Sequence, residues 1–200
     1  MFNKCSSLTA MPPMPAATIM FESCFYQMFA ECTSLTTVTS LPGTTLAKNC
    51  YYRFFWHDTG ITAVPSDFLP ATTMAEGCYT SMFDGCTSLT AAPALPATTL
   101  AKSCYSIMFW GCTGLTAAPD LPATSLVESC YSQMIESCSN LRSITCLATT
   151  TATATNATKD WLKNARNNVD CTFTYDASAT FWTTGQSGIP SNWTRIAITP

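Results

Sequence analysis

A unit of 26 residues recurs along this chain, and no other feature restricts the fold as tightly. CYTSMFDGCTSLTAAPALPATTLAKS, residues 78–103, runs directly into CYSIMFWGCTGLTAAPDLPATSLVES, residues 104–129, with 18 of 26 positions identical. The same unit starts at Cys24, Cys50 and Cys130, so the steps are 26, 28, 26 and 26 residues. The opening MFNKCSSLT matches the middle of the unit, as in MFDGCTSLT, which puts Cys5 in repeat phase. Internal repeats of this length cannot bury a core singly and must stack on their neighbours.

Each unit divides into two halves. In TTLAKSCYSIMFWG, Leu100, Cys104 and Met108 fall four apart, and Ala101, Tyr105 and Phe109 form the adjacent row. Two such rows predict an amphipathic helix, with Thr98 or Thr99 at its N-cap and Gly111 (Gly85 one unit earlier) as its terminator. The second half, GLTAAPDLP, is short and proline-bounded, which predicts a strand carrying Leu115, Ala118 and Leu121 at a spacing of three. The last copy, LRSITCL, repeats that spacing with Leu141, Ile144 and Leu147. The expected fold class is therefore an α/β solenoid of about five to six helix–strand turns over residues 1–150, with a parallel sheet along one side. At about 4.8 Å per strand it would span roughly 25 to 30 Å.

Residues 151–200 differ in composition. A Thr/Ala linker leads to a predicted helix near Lys159 to Ala165, and the segment after it alternates enough for two or three short strands. The end of a repeat stack exposes apolar rows. Trp161, Phe173, Trp182 and Trp193 are the residues expected to cover them, making this segment a β-rich cap.

The recurring MFxGCTSLT…LP resembles the BspA-like class of bacterial leucine-rich repeats, whose units read approximately F-x-G-C-x-x-L-x-x-I-x-x-P. The likeness covers residues 1 to about 150, where Phe, Gly, Cys, Leu and Pro recur in register, although these units are longer than that family's usual one. The C-terminal segment likewise resembles the one that closes many such proteins of gut anaerobes. The resemblance implies a non-enzymatic surface protein that recognises or adheres to a protein or glycan.

Twelve cysteines invite a disulfide framework, but ten stand in two columns. Cys24, Cys50, Cys78, Cys104 and Cys130 form one; Cys5, Cys32, Cys86, Cys112 and Cys138 form the other. A small thiol fills an inward rung well. The C-x7-C spacing also lacks the close pairs of structural zinc sites. Buried free thiols are expected, with no metal and no cofactor. Cys146 and Cys171 lie outside the columns and are the candidate pair if a disulfide exists.

CYYRFFWHDTGI, residues 50–61, concentrates five aromatics and the only histidine of the chain. Aligned on phase, Cys50, Tyr51, Phe54, Phe55 and Ile61 keep the core pattern, while Asp58 takes a cysteine position. Trp56 shares a column with Ala30, Asp84, Trp110 and Glu136, a mixture expected to face solvent. Exposed Trp, Tyr and Arg are enriched at binding hot spots. Tyr52, Arg53, Trp56, His57, Asp58, Asp84 and Trp110 are thus the candidate contact patch; local repacking beside an insertion at residues 66–68 is the alternative. Cys50 and His57 would be the sole nucleophile–base combination, and no histidine remains for a triad elsewhere.

Composition narrows the function further. Charged residues are 10%, the net charge is −3, and no basic run suggests nucleic acid. No apolar run approaches the roughly 18 residues that span a bilayer. The start carries neither the charged nor the apolar region of a signal peptide. The expected function is non-enzymatic recognition at a cell surface or in the extracellular space. The alternative is a structural component of a virion or filament, self-associating through an open N-terminal repeat edge.

Overall fold

A computed structural model describes residues 2–14, 20–42, 44–151, 154–166 and 168–199. Among them there is no helix, and only three short strands occur: β1 (Ser143–Cys146), β2 (Thr172–Asp176) and β3 (Thr194–Ile198), paired in parallel in that order. Turns, bends, isolated bridges and irregular chain make up the remainder. The expected α/β solenoid of alternating helix and strand, with the geometry of a leucine-rich repeat, is therefore wrong. Both predicted helices, the one in the repeat and the one at Lys159 to Ala165, are built differently.

The segments expected to be helical are ribbons of successive turns. In residues 103–112, every second amide bonds three residues back: Cys104 N to Ala101 O (3.2 Å), Ser106 to Ser103 (3.1 Å), Met108 to Tyr105 (3.3 Å), Trp110 to Ile107 (3.2 Å). The amides between them reach the next copy: Ser103 N to Glu128 O (3.0 Å), Tyr105 to Cys130 (3.1 Å), Ile107 to Ser132 (2.9 Å), Phe109 to Met134 (2.8 Å). An α-helix spends its amides within itself and offers none sideways. Here half of them tie one repeat copy to the next, so each copy forms a layer on its neighbour.

The backbone conformation follows the same count. Ser103, Ile107 and Gly111 have φ of 55°, 59° and 65°, and Asn49, Arg53 and His57 lie at 53°, 54° and 58°. One left-handed residue in every four turns the chain back on itself, so side chains point inward in pairs. Cys50 and Tyr51 are buried, Tyr52 and Arg53 are not, Phe54 and Phe55 are buried again. The left-handed region costs an L-residue roughly 1–2 kcal/mol, least for Asn and Asp, and it suits β-branched residues worst. Ile107 is the one β-branched residue held there among those described. Ile107→Asn is expected to stabilise the protein by about 1 kcal/mol, which for a chain of this size raises Tm by about 2–4 °C. A Tm that falls would mean that Ile107 packing outweighs its backbone strain.

The inward pairs stack into aromatic columns. Phe29, Phe55, Phe83 and Phe109 follow one another at ring separations of 5.9, 5.6 and 5.5 Å. Tyr51, Tyr79, Tyr105 and Tyr131 follow at 5.8, 6.0 and 6.0 Å. Leu89, Leu115, Leu121 and Leu141, from the second halves of the units, are buried in the same core. The proline-bounded halves mostly meet in isolated parallel bridges such as Ala63 to Ala91 and Ala117 to Ser143, not in a continuous sheet. Pro93 and Pro119 remove ladder donors from their copies. The copy with Ile144 and no proline is the one that becomes β1.

Residues 154–166 form a further ribbon layer, hydrogen-bonded to the last full copy through Tyr131 N to Ala157 O (2.8 Å), Gln133 to Lys159 (2.8 Å) and Ile135 to Trp161 (3.0 Å). Asn156, Asp160 and Asn164 supply its left-handed residues. β2 and β3 then extend the sheet from β1, with Ile144 opposite Phe173 and Phe173 opposite Arg195. Trp161, Phe173, Trp182 and Trp193 are all buried in this region.

No cysteine is bonded to another. The candidate disulfide between Cys146 and Cys171 is excluded by register: Cys146 pairs with Tyr175, and Thr172 pairs with Ser143. Cys171 lies four residues from Tyr175, about 13 Å along a strand, and a disulfide needs Cα atoms within about 7 Å.

Candidate binding face

The ribbon of residues 49–58 turns Tyr52, Arg53, Trp56 and His57 to the outside and keeps Asp58 in the core. Tyr52 stacks on Tyr26 of the preceding layer, with ring centroids 5.2 Å apart and planes 1° from parallel. The Arg53 guanidinium lies 5.3 Å from the Tyr52 ring and 5.2 Å from that of Trp56, so it bridges both faces. Trp56 packs on His57 at 4.3 Å and donates its indole N–H to Asp84 Oδ2 at 3.1 Å in the next layer. His57 lies over Gly85, where a Cβ would come within 2.9 Å of the imidazole. Any larger residue at position 85 would displace that ring.

These contacts change the expected meaning of the Trp56 column. Ala30, Asp84 and Glu136 are buried, at 0%, 7% and 6% exposure, and the column does not face solvent as a whole. Trp56 reaches over the next layer and shields Asp84. Glu136 is held by Gln133 Nε2 at 2.9 Å and Lys163 Nζ at 3.6 Å. Trp110 alone in the column is substantially open, at 37%. Burial raises the Asp84 carboxyl above its usual range, while His57, the Trp56 hydrogen bond and Arg53 oppose that rise. Asp84 Oδ1 and Arg53 Nε are buried without partners.

Asp58 is not part of an outer patch, because it is fully buried. Burial pushes its carboxyl up to about 8, opposed by the Cys32 backbone N–H and assisted by repulsion from Glu31. Cys50 is also fully buried, and burial lifts its thiol to about 11, whereas His57 is exposed. The two point to opposite sides of the ribbon and make no nucleophile–base pair. Tyr26 belongs to the face and was missed. It precedes Tyr52 by one repeat step, which is the signal that could have found it.

Two clefts lie elsewhere. One of about 380 Å³ is bounded by Lys163, Asn164, Thr184 and Gln186, and one of about 490 Å³ by Pro93, Pro96, Pro119 and Asp120. Among the described residues no three His, Cys, Asp or Glu side chains are grouped to hold a metal ion. No helix there is long and apolar enough to cross a membrane. No protein-family model, curated protein or solved structure matches this chain.

Proposed function

We propose that this chain is a non-enzymatic recognition module, displayed at a cell surface or outside the cell, which binds a protein or glycan through the face carrying Tyr26, Tyr52, Arg53, Trp56 and Trp110. The observation that carries the reading is the gathering of aromatic and Arg side chains on one outward side of the ribbon layers. Aromatic rings and Arg supply contact area at low entropic cost and dominate binding energetics where they are exposed. The BspA-like motif supports the same reading through its sequence pattern and lends no support through helix–strand geometry.

Trp110 separates binding from folding, because its indole is open whereas Trp56 shields Asp84. Trp110→Ala is expected to leave Tm nearly unchanged, since surface changes usually cost within about 0.5 kcal/mol. Binding to immobilised glycans or extracellular-matrix proteins should fall about tenfold or more, as a hot-spot residue would require. Full binding by a folded Trp110→Ala, Tyr52→Ala double variant would refute the proposal.

Assembly into a filament or virion part is the second reading. It is favoured by β3, which is the outer strand of its sheet among the described residues, with four of its five residues exposed. Concentration-dependent growth in sedimentation would favour assembly, and a monomer at all concentrations would dismiss it.

A further inference from the structure

The second cysteine column has a consistent use for its protons. Cys32 Sγ donates to Phe2 O at 2.9 Å, Cys86 to Phe55 O at 3.1 Å, Cys112 to Phe83 O at 3.0 Å and Cys138 to Phe109 O at 3.1 Å. Each of these carbonyls belongs to the preceding layer and lies 29 to 31 residues back. Asp58 occupies this column, and the same register points it at the carbonyl of Phe29. It is fully buried, and neither carboxyl oxygen has a hydrogen-bond partner; the backbone N–H of Cys32 in the preceding layer is the one donor that acts on it, and it only partly offsets the effect of burial. The groups facing it are Glu31 and Cys32 from the preceding layer and Cys86 from the following one, with Asp84 beyond Cys86. None of these is a cation, and its chain neighbour His57 points outward. An ionised carboxylate in this position would be desolvated, without a cation to pair with, and beside another acid.

We propose that Asp58 is held as a neutral carboxylic acid which donates its proton to the Phe29 carbonyl in place of a thiol, so that deprotonation loosens the layer bearing Tyr52 to His57. The sign of the linkage follows from the raised folded value. The folded state holds a proton that the unfolded state releases at an ordinary carboxylate pKa of about 3.9. The stabilising proton is present in both states below that point. Stability is lost as pH rises from there to about 8, and the loss levels off above it.

Two measurements test this. In thermal unfolding across the neutral range, the folding constant of the native protein should fall about tenfold per pH unit relative to Asp58→Cys, until the ratio levels near pH 8. Asp84 is also raised, but it is present in both proteins and cancels in the comparison. Infrared spectra at about pH 6 should show the carbonyl stretch of a protonated buried acid, with part of that intensity lost in Asp58→Asn. Parallel stability–pH curves for native protein and Asp58→Cys would overturn the proposal. So would acid-band intensity undiminished in Asp58→Asn. If neither variant folds, absence of the acid band from the native protein at that pH overturns it alone.

Discussion

Trp161→Ala is expected to destabilise the protein by about 4 kcal/mol, the usual cost of emptying a buried tryptophan site. Trp161 is fully buried between Tyr131 at 6.4 Å and Trp182 at 5.5 Å, with Phe173 edge-on at 6.0 Å. By repeat step it follows Phe109 and Ile135, while the tyrosine column ends at Ala157. The indole therefore fills space that small Ala157 leaves beneath Tyr131, and alanine at 161 would leave that space empty on both sides. Its N–H also donates to Gly188 O at 2.7 Å, tying the ribbon to the segment before β3. Trp161→Phe, which removes that donor and keeps most of the volume, should cost only about 1 kcal/mol more than an ideal swap. The neighbour-only contacts of stacked layers also locate the damage. Amide exchange should accelerate first in residues 154–166 and in β2 and β3, with the layers around Phe55 and Phe83 affected last. A loss below about 1 kcal/mol would show that the tail does not depend on this indole.

The repeat boundaries, the inward rows and the two cysteine columns were legible because they are patterns of residue type. Cys50, Tyr51, Phe54 and Phe55 are buried as their phase requires. The helix was misread because a period of four resembles one of 3.6 over a short window. An α-helix rotates about 40° between residues four apart, so Leu100, Cys104, Met108 and Cys112 would have spiralled away from one face. Their strict spacing, with Ser103 and Gly111 at left-handed positions, fits a turn ribbon instead. Residues 154–166 escaped notice as a layer because Ala157 and Trp161 stand where Tyr and Phe would mark one. The outer face was the least legible part. Nothing in the residue types of the Trp56 column announces that an indole spans two layers and buries Asp84; that depends on side-chain direction, which phase alone does not fix. Asp58 was readable as a cysteine substitute, yet its inclusion in a contact patch ignored what that substitution implies about burial.

Thiol labelling should divide the twelve cysteines sharply. All are free; Cys24 is exposed, Cys5 is half-buried, and the other ten are buried. Two effects combine against the buried set. A reagent cannot reach them without local opening, and the reactive species is the thiolate, which burial suppresses. Desolvation lifts Cys78, Cys138 and Cys146 to about 12, and it lifts Cys86, Cys104 and Cys112 well above the ordinary thiol value. A rise of three units alone lowers the thiolate fraction near pH 8 by about a thousandfold. The protons are also engaged, since Cys86, Cys112 and Cys138 donate to carbonyls of the layer behind. In the native protein Cys24 should react first and Cys5 more slowly, with the remaining ten silent until the chain unfolds. Global unfolding without reductant should then release all ten. Native-state labelling of Cys86, Cys112 or Cys138 at the rate of Cys24 would contradict the packing. Fewer than twelve thiols after unfolding would mean that some are bonded.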